Sequence, residues 1–248
     1  MRRENLSKLF IIIQARMTSS RLPKKVLLPL CGKTVLEVMF DRLERWKDNI
    51  IIATTNDGTE KPITDLCTKL GVKYYKGSTD NVLNRYYQCA LQYGASGSDI
   101  IVRLTSDCPF IDPDIVDETI QFYKNNKFDY VSNRINRKIP IGLDAEVFNF
   151  TTLKESEINA SESFEKEHVT PYIYMTKKNH YYIGNYSPEI DGSMYRLTLD
   201  EEEDYIAIKK IYRKLGCKTN FTYEVLINIM KNNFFLYEIN AHVKQKNI

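Results

Sequence analysis

The sequence lacks a strong charge of either sign: its 248 residues carry 35 Lys or Arg against 32 Asp or Glu, a formal net charge of +3. That balance gives no electrostatic reason to expect nucleic acid or an anionic membrane as partner, so the basic residues have to be read locally. Long apolar runs are missing too, and no segment approaches the roughly 20 apolar residues of a membrane span. Behind Met1-Arg2-Arg3 the apolar run 9–13 has five residues, short of the ~7–15 that a secretion leader needs. Five cysteines (Cys31, Cys67, Cys89, Cys108, Cys217) include no CxxC pair. An odd, dispersed set suggests free thiols in a reducing compartment, with neither a disulfide frame nor a zinc site, so the cytoplasm is the expected location. No repeat, low-complexity tract or Pro/Gly/Ser linker parts the chain, and one domain over 1–248 is expected.

What is present is an alternation. The run 9–13 (LFIII) is β-branched and fully apolar, the pattern of a strand buried on both faces. Leu36, Met39, Phe40 and Leu43 fall at helical spacing within 36–46. Then come a strand at 50–54, a helix at 62–70, a strand at 72–75, a helix at 82–93 and a strand at 99–104. A helix at 113–125 follows, with Asp112 placed as its cap and Pro113 at its first position. This rhythm predicts an α/β protein whose mainly parallel sheet is covered on both faces. Ligands bind such sheets beyond the carboxyl ends of the strands, which directs attention to 14–25, 54–59, 77–85 and 105–112. Past residue 128 the rhythm changes. Short extended pieces at 129–132, 143–148, 181–186 and 195–198 surround a helix at about 165–178. Helices at about 202–215 and 223–231 end the chain, and the polar tail after Glu238 is expected to fray.

The first loop reads Gln14-Ala15-Arg16-Met17-Thr18-Ser19-Ser20-Arg21-Leu22-Pro23-Lys24-Lys25, with four cations and three hydroxyls directly after a buried strand. Turning backbone N–H groups with converging Arg forks and Lys charges make an anion cradle suited to a polyphosphate. A solvated basic loop would have the same composition, but the position at a strand's carboxyl end favours phosphate. Cys31-Gly32-Lys33-Thr34 looks like the end of a P-loop, yet the first glycine of that motif would have to be Leu27, and no strand leads directly into it. We read Gly32-Lys33 as a turn before the next helix. Asp107, just past the strand 99–104, could hold Mg²⁺ near phosphates, although an Asp in a loop is more often a cap or turn residue. Asp200 repeats that grammar, an extended stretch ending in Asp before a helix, and is also a natural cap. Together the two could ligate one Mg²⁺ that neutralises phosphate charge during in-line displacement.

At these residues the sequence resembles the cytidylyltransferase superfamily over roughly residues 9–215, with the branch named for spore-coat polysaccharide biosynthesis protein F the most similar. It is also similar to 3-deoxy-manno-octulosonate and acylneuraminate cytidylyltransferases. Ala15-Arg16-x-x-Ser19-Ser20-Arg21-Leu22-Pro23-x-Lys25 matches the family's triphosphate loop. The resemblance implies that Arg16, Arg21 and Lys25 contact phosphate, and that Gln14, Ala15, Ser19, Ser20 and Thr105 lie beside the nucleotide. Ala53-Thr54-Thr55 matches the segment next to the bound cytidine. Gly77-Ser78-x-Asp80-Asn81-Val82-Leu83-x-Arg85-Tyr86 is the next signature, which places Ser78, Asp80 and Arg85 near the nucleotide as well. Asp107 and Asp200 match the two metal-binding aspartates. Two motifs are typical of the branch, Gly142-Leu143-Asp144-x-Glu146-Val147-Phe148 and Glu167-His168-Val169-Thr170-Pro171-Tyr172. The resemblance implies that Asp144, Glu146, Glu167 and His168 bind the acceptor's hydroxyls or amine.

What it implies overall is a Mg²⁺-dependent nucleotidyltransferase with an α/β/α sandwich. It would move CMP from CTP to a sugar acid or sugar-like acceptor, release pyrophosphate and serve surface-glycan synthesis. Residues 128–195 would form an acceptor-binding and dimerisation insertion, giving a homodimer. Two alternatives stay open: a glycosyltransferase of related fold, although no DxD stands at a strand end, and transfer to a sugar phosphate from another nucleotide. A non-catalytic nucleotide-binding subunit is a third reading, against which the retained aspartates and loop cations argue.

Overall fold

The computed structural model describes residues 7–245, so Met1-Arg2-Arg3 lies outside the described residues. Strand β1 (Leu9–Gln14) runs through the middle of a seven-stranded sheet. Its side chains divide with period two: Ile11 and Ile13 enter one core, Phe10 and Ile12 the other. β1 pairs in parallel with β4 (Ile50–Thr55) and β6 (Ile100–Thr105), and β5 (Lys73–Gly77) extends the parallel set past β4. Beyond β6 the direction reverses. β8 (Glu146–Asn149) is antiparallel to both β6 and β7 (Tyr130–Ser132), and β9 (Ile183–Asn185) lies parallel to β7 at the edge. A separate hairpin joins β2 (Pro29–Leu30) to β3 (Lys33–Thr34), at the place where the P-loop was rejected.

Helices α1 (Val35–Arg42), α2 (Lys61–Leu70) and α4 (Pro113–Lys124) cover the Ile11 face. Thr34 and Glu37 form a capping box at the start of α1, and Asp112 accepts from the Asp114 and Ile115 amides at the start of α4. On the Phe10 face pack α3 (Val82–Gln92) and α5 (Phe150–Asn159), with α6 (Ser163–His168) against α3. A third core joins α7 (Glu202–Lys214), α8 (Tyr223–Asn232) and α9 (Phe234–Glu238) to Leu30, Phe110, Leu197 and Leu199. The expected sandwich is therefore present, with this helical layer added. Among the described residues no helix is long and apolar enough to cross a membrane.

Several expectations need correction. Helix 36–46 ends at Arg42, and the chain continues as a 3₁₀ stretch over Glu44–Asn49. The helix expected at 165–178 is two pieces, α6 and a π-turn over Tyr172–Thr176. Between them Val169 has φ 73° and ψ −55°, and the Thr170 amide donates to the His168 carbonyl at 2.9 Å. That is a γ-turn of the rare, strained sense. The piece 195–198 is extended but makes only one bridge, Arg196 to Ile141. Helix α5 was not foreseen; it starts the moment β8 ends, capped by Asn149. Two cysteines are not free: Cys31 at the hairpin tip and Cys217 after α7 form a disulfide with Cα atoms 5.9 Å apart. Their 186-residue separation hides the pairing in the sequence. Nor does the tail simply fray, because Asn240 is buried against Arg196 and Asp204.

Candidate active site

The carboxyl ends of β1 and β6 and the start of β8 meet at one cavity of about 690 Å³. Register builds its floor: Gln14 pairs with Thr105, and Arg103 pairs with Glu146 on the next strand. The loop after β1 forms one wall. It folds back on itself, the Lys24 and Ser19 amides both donating to the Met17 carbonyl, and Lys24 itself takes a left-handed conformation. Gln14, Ala15, Arg16, Ser19, Ser20, Arg21 and Lys25 all line the cavity.

Asp107 and Asp200 come together although 93 residues of sequence part them. The link is backbone: the Leu199 amide donates to the Asp107 carbonyl at 2.8 Å. Lys25 Nζ sits 2.7 Å from Asp107 Oδ2 and 2.7 Å from Asp200 Oδ1. Burial works against charge on the Lys25 ammonium, but Asp107 and Asp200 more than offset it and its pKa is raised. Burial would likewise raise the Asp107 carboxyl; Lys25, with Thr105 and Cys108, draws it well below the usual range instead. Arg21 reaches Asp200 at 3.3 Å and Glu201 at 2.8 Å. Behind Asp200 stands Arg196, whose guanidinium grips Asp204 through Nε at 2.8 Å and Nη2 at 2.9 Å. Asp204 also accepts from the Asp200 and Glu201 amides, which fixes the turn that carries Asp200.

Two other cations stand differently. Arg16 is exposed and makes no ion pair among the described residues. Arg85 is 1% exposed and gives Nη1 to the Ser78 carbonyl, while its Nε has no partner. A buried guanidinium without an acid is costly unless an anion completes it. Asp80 lines the cavity beside Arg85, whereas Ser78 only supports it. Ala53, Thr54 and Thr55 are fully buried in β4 and do not line the cavity.

The far wall differs most from expectation. Asp144, Glu146, Glu167 and His168 all line it, but Glu146 is 1% exposed and already accepts from Arg103 at 3.1 Å, Arg134 at 3.0 Å and Thr170 at 2.8 Å. Asp144 faces Arg137 at 2.6 Å. These two carboxylates hold arginines in place. His168 is half-buried, and burial, opposed by Glu167 and abetted by Arg103 and Arg134, lowers its pKa. Arg103, Arg134, Arg137 and Lys166 were not foreseen, yet all line the cavity. Arg134 and Arg137 follow strand β7 as Arg16 and Arg21 follow β1, and that shared pattern was the signal available.

The family model described as Cytidylyltransferase matches residues 10–244. The chain belongs to the cytidylyltransferase family. This cytidylyltransferase is 34% identical over 242 residues to spore coat polysaccharide biosynthesis protein SpsF of Bacillus subtilis, covering 92% of this chain and 96% of that one. A solved cytidylyltransferase from Leptospira borgpetersenii superposes with a TM-score of 0.88 at 31% identity, covering 98% of this chain and all of the other. Similarity to the 3-deoxy-manno-octulosonate cytidylyltransferase of Aliivibrio fischeri is 28% over 149 residues, 58% of this chain and 56% of that one.

Proposed function

We propose that this cytidylyltransferase moves CMP from CTP to a sugar-acid acceptor and releases pyrophosphate, supplying an activated donor for surface-glycan synthesis. The observation that carries the reading is the single cavity that joins a phosphate loop, a pair of aspartates and a cationic far wall. Arg16, Arg21 and Arg85 receive the triphosphate. The acceptor's acid group lies toward Arg134, Arg137 and Lys166, and His168 hydrogen-bonds one of its hydroxyls. An acceptor oxygen then forms a bond to the α-phosphorus as the α–β bridge breaks. Such a reaction depends on positioning and charge neutralisation more than on a strong base.

Asp107 and Asp200 would hold Mg²⁺. Among the described residues no three acidic, His or Cys side chains gather as a self-sufficient metal site. Two carboxylates plus phosphate oxygens and waters are what that ion ordinarily takes beside nucleotides, so the pair fits it. When bound it would offset charge on the phosphates. Residues 128–195 supply the acceptor wall and, in our reading, a homodimer contact.

The test is pyrophosphate release, with CTP, UTP, ATP, GTP and dTTP each offered against a panel of sugar acids and sugar phosphates. Release restricted to CTP with a sugar acid supports the reading. Turnover with another nucleotide, or with sugar phosphates alone, overturns that part of it. Asp107→Ala should lower kcat by at least ~10²-fold, the scale of one preorganised electrostatic contact.

A further inference from the structure

Asp200 is surrounded by three cations, and they are not equally fixed. Arg196 is tied to Asp204 by two hydrogen bonds and Arg21 to Glu201 by one. Among the described residues Lys25 has no anchor of that kind, and its ammonium meets only Asp107 and Asp200. It stands at the first position of a short 3₁₀ turn, so its backbone is held while its four-carbon stem can swing. The two carboxylates it bridges, through Asp107 Oδ2 and Asp200 Oδ1, are the groups that would hold a divalent ion, whose preferred ligands are oxygens. An ammonium and a dication cannot share that gap. Lys25 also borders the cavity that Arg16 and Arg21 enter, so a short swing leads toward the phosphate side.

We propose that Lys25 and the divalent ion are alternative occupants of one seat between Asp107 and Asp200, the ion arriving with the nucleotide and Lys25 passing onto its phosphates. Lys25 thus keeps the two carboxylates apart from metal alone and couples metal entry to nucleotide entry. The coupling rests on the nucleotide reading above; the shared seat does not.

The experiment is a Mn²⁺ titration of the full chain, followed by the electron spin resonance of free Mn²⁺, with and without CTP. Wild type should bind Mn²⁺ weakly alone and much more tightly with CTP. Lys25→Met and Lys25→Gln should each bind Mn²⁺ without nucleotide roughly tenfold tighter or more, because a like charge has left the seat. Adding Asp107→Asn to Lys25→Met should erase that gain, which locates it. A thermal melt of each variant shows that it is folded, and Lys25→Arg, which keeps a cation in the seat, should show no gain. Unchanged or weaker Mn²⁺ binding in both neutral variants overturns the shared seat. If CTP leaves wild-type Mn²⁺ binding unaltered while the neutral variants still tighten it, the seat stands and the nucleotide reading falls.

Discussion

Glu146 illustrates how a side chain can serve a site by fixing its neighbours. The carboxylate is buried and divided among Arg103, Arg134 and Thr170, so it spaces two guanidiniums across the far wall. Burial alone would raise its pKa; Arg103 and Arg134 reverse that, and it is lowered. A folded-state pKa below the unfolded value means stability that is present above about pH 4.3 and lost as pH falls through the folded value. Glu146→Gln strands two arginines and should cost about 3–5 kcal/mol at pH 7, the scale of a broken buried pair. Denaturant titrations of both proteins at pH 7 and pH 3.5 check this: the gap between them should narrow at the lower pH. A constant gap would make Glu146 an ordinary packed residue. On the proposed function, in which the arginines it spaces face the acceptor, the same substitution should raise KM for the acceptor more than for CTP.

At the scale of elements, what the sequence made legible was whatever repeats. The two-residue alternation of β1 and the caps Asp112 and Thr34 depend on neighbours in the chain, and all were readable. The break at Val169 was not. A β-branched residue at positive φ is disfavoured by its own sterics; Val169 is fully buried, donates its amide to the Glu165 carbonyl, and is followed by Thr170, which is bonded to Glu146. Strain of this kind gathers at functional sites, and here it sets His168 on the far wall and Thr170 behind it against Glu146. Nor could spacing reveal that Gly142 lies against the segment leading to Asp200. Gly142 has φ +106°, and a Cβ there would stand 2.4 Å from both the Leu197 carbonyl carbon and the Thr198 amide nitrogen. Gly142→Ala must push that backbone away. Because a shift of about 1 Å can cost ~10²-fold, kcat should fall by that order while CTP affinity changes little. An unaffected kcat would show that Asp200 does not depend on this contact.

For the whole molecule, the wall formed by the loop after β1 and the wall that carries Asp200 belong to distant parts of the chain and are braced from outside the cavity. The hairpin β2–β3 follows the Lys25 turn, and α7 follows Asp200; the Cys31–Cys217 disulfide joins the hairpin tip to the far end of α7. Arg42 adds an internal brace, stacked on Phe221 and donating to the Ile111, Thr219 and Phe221 carbonyls. The other thiols are buried, and desolvation pushes both Cys67 and Cys89 up to about 12. These two thiols, held protonated, and Cys108, likewise buried and pushed up by burial, should resist a thiolate-directed reagent. Native, unreduced protein should therefore show no reactive thiol, unfolding without reductant should release three, and reduction followed by unfolding all five. Removing the bridge with Cys31→Ser should lower stability by about 2–4 kcal/mol, as expected for a long closed loop. Two thiols that react rapidly in the native protein would show the bridge open, and the two walls would then rest on packing and on Arg42 alone.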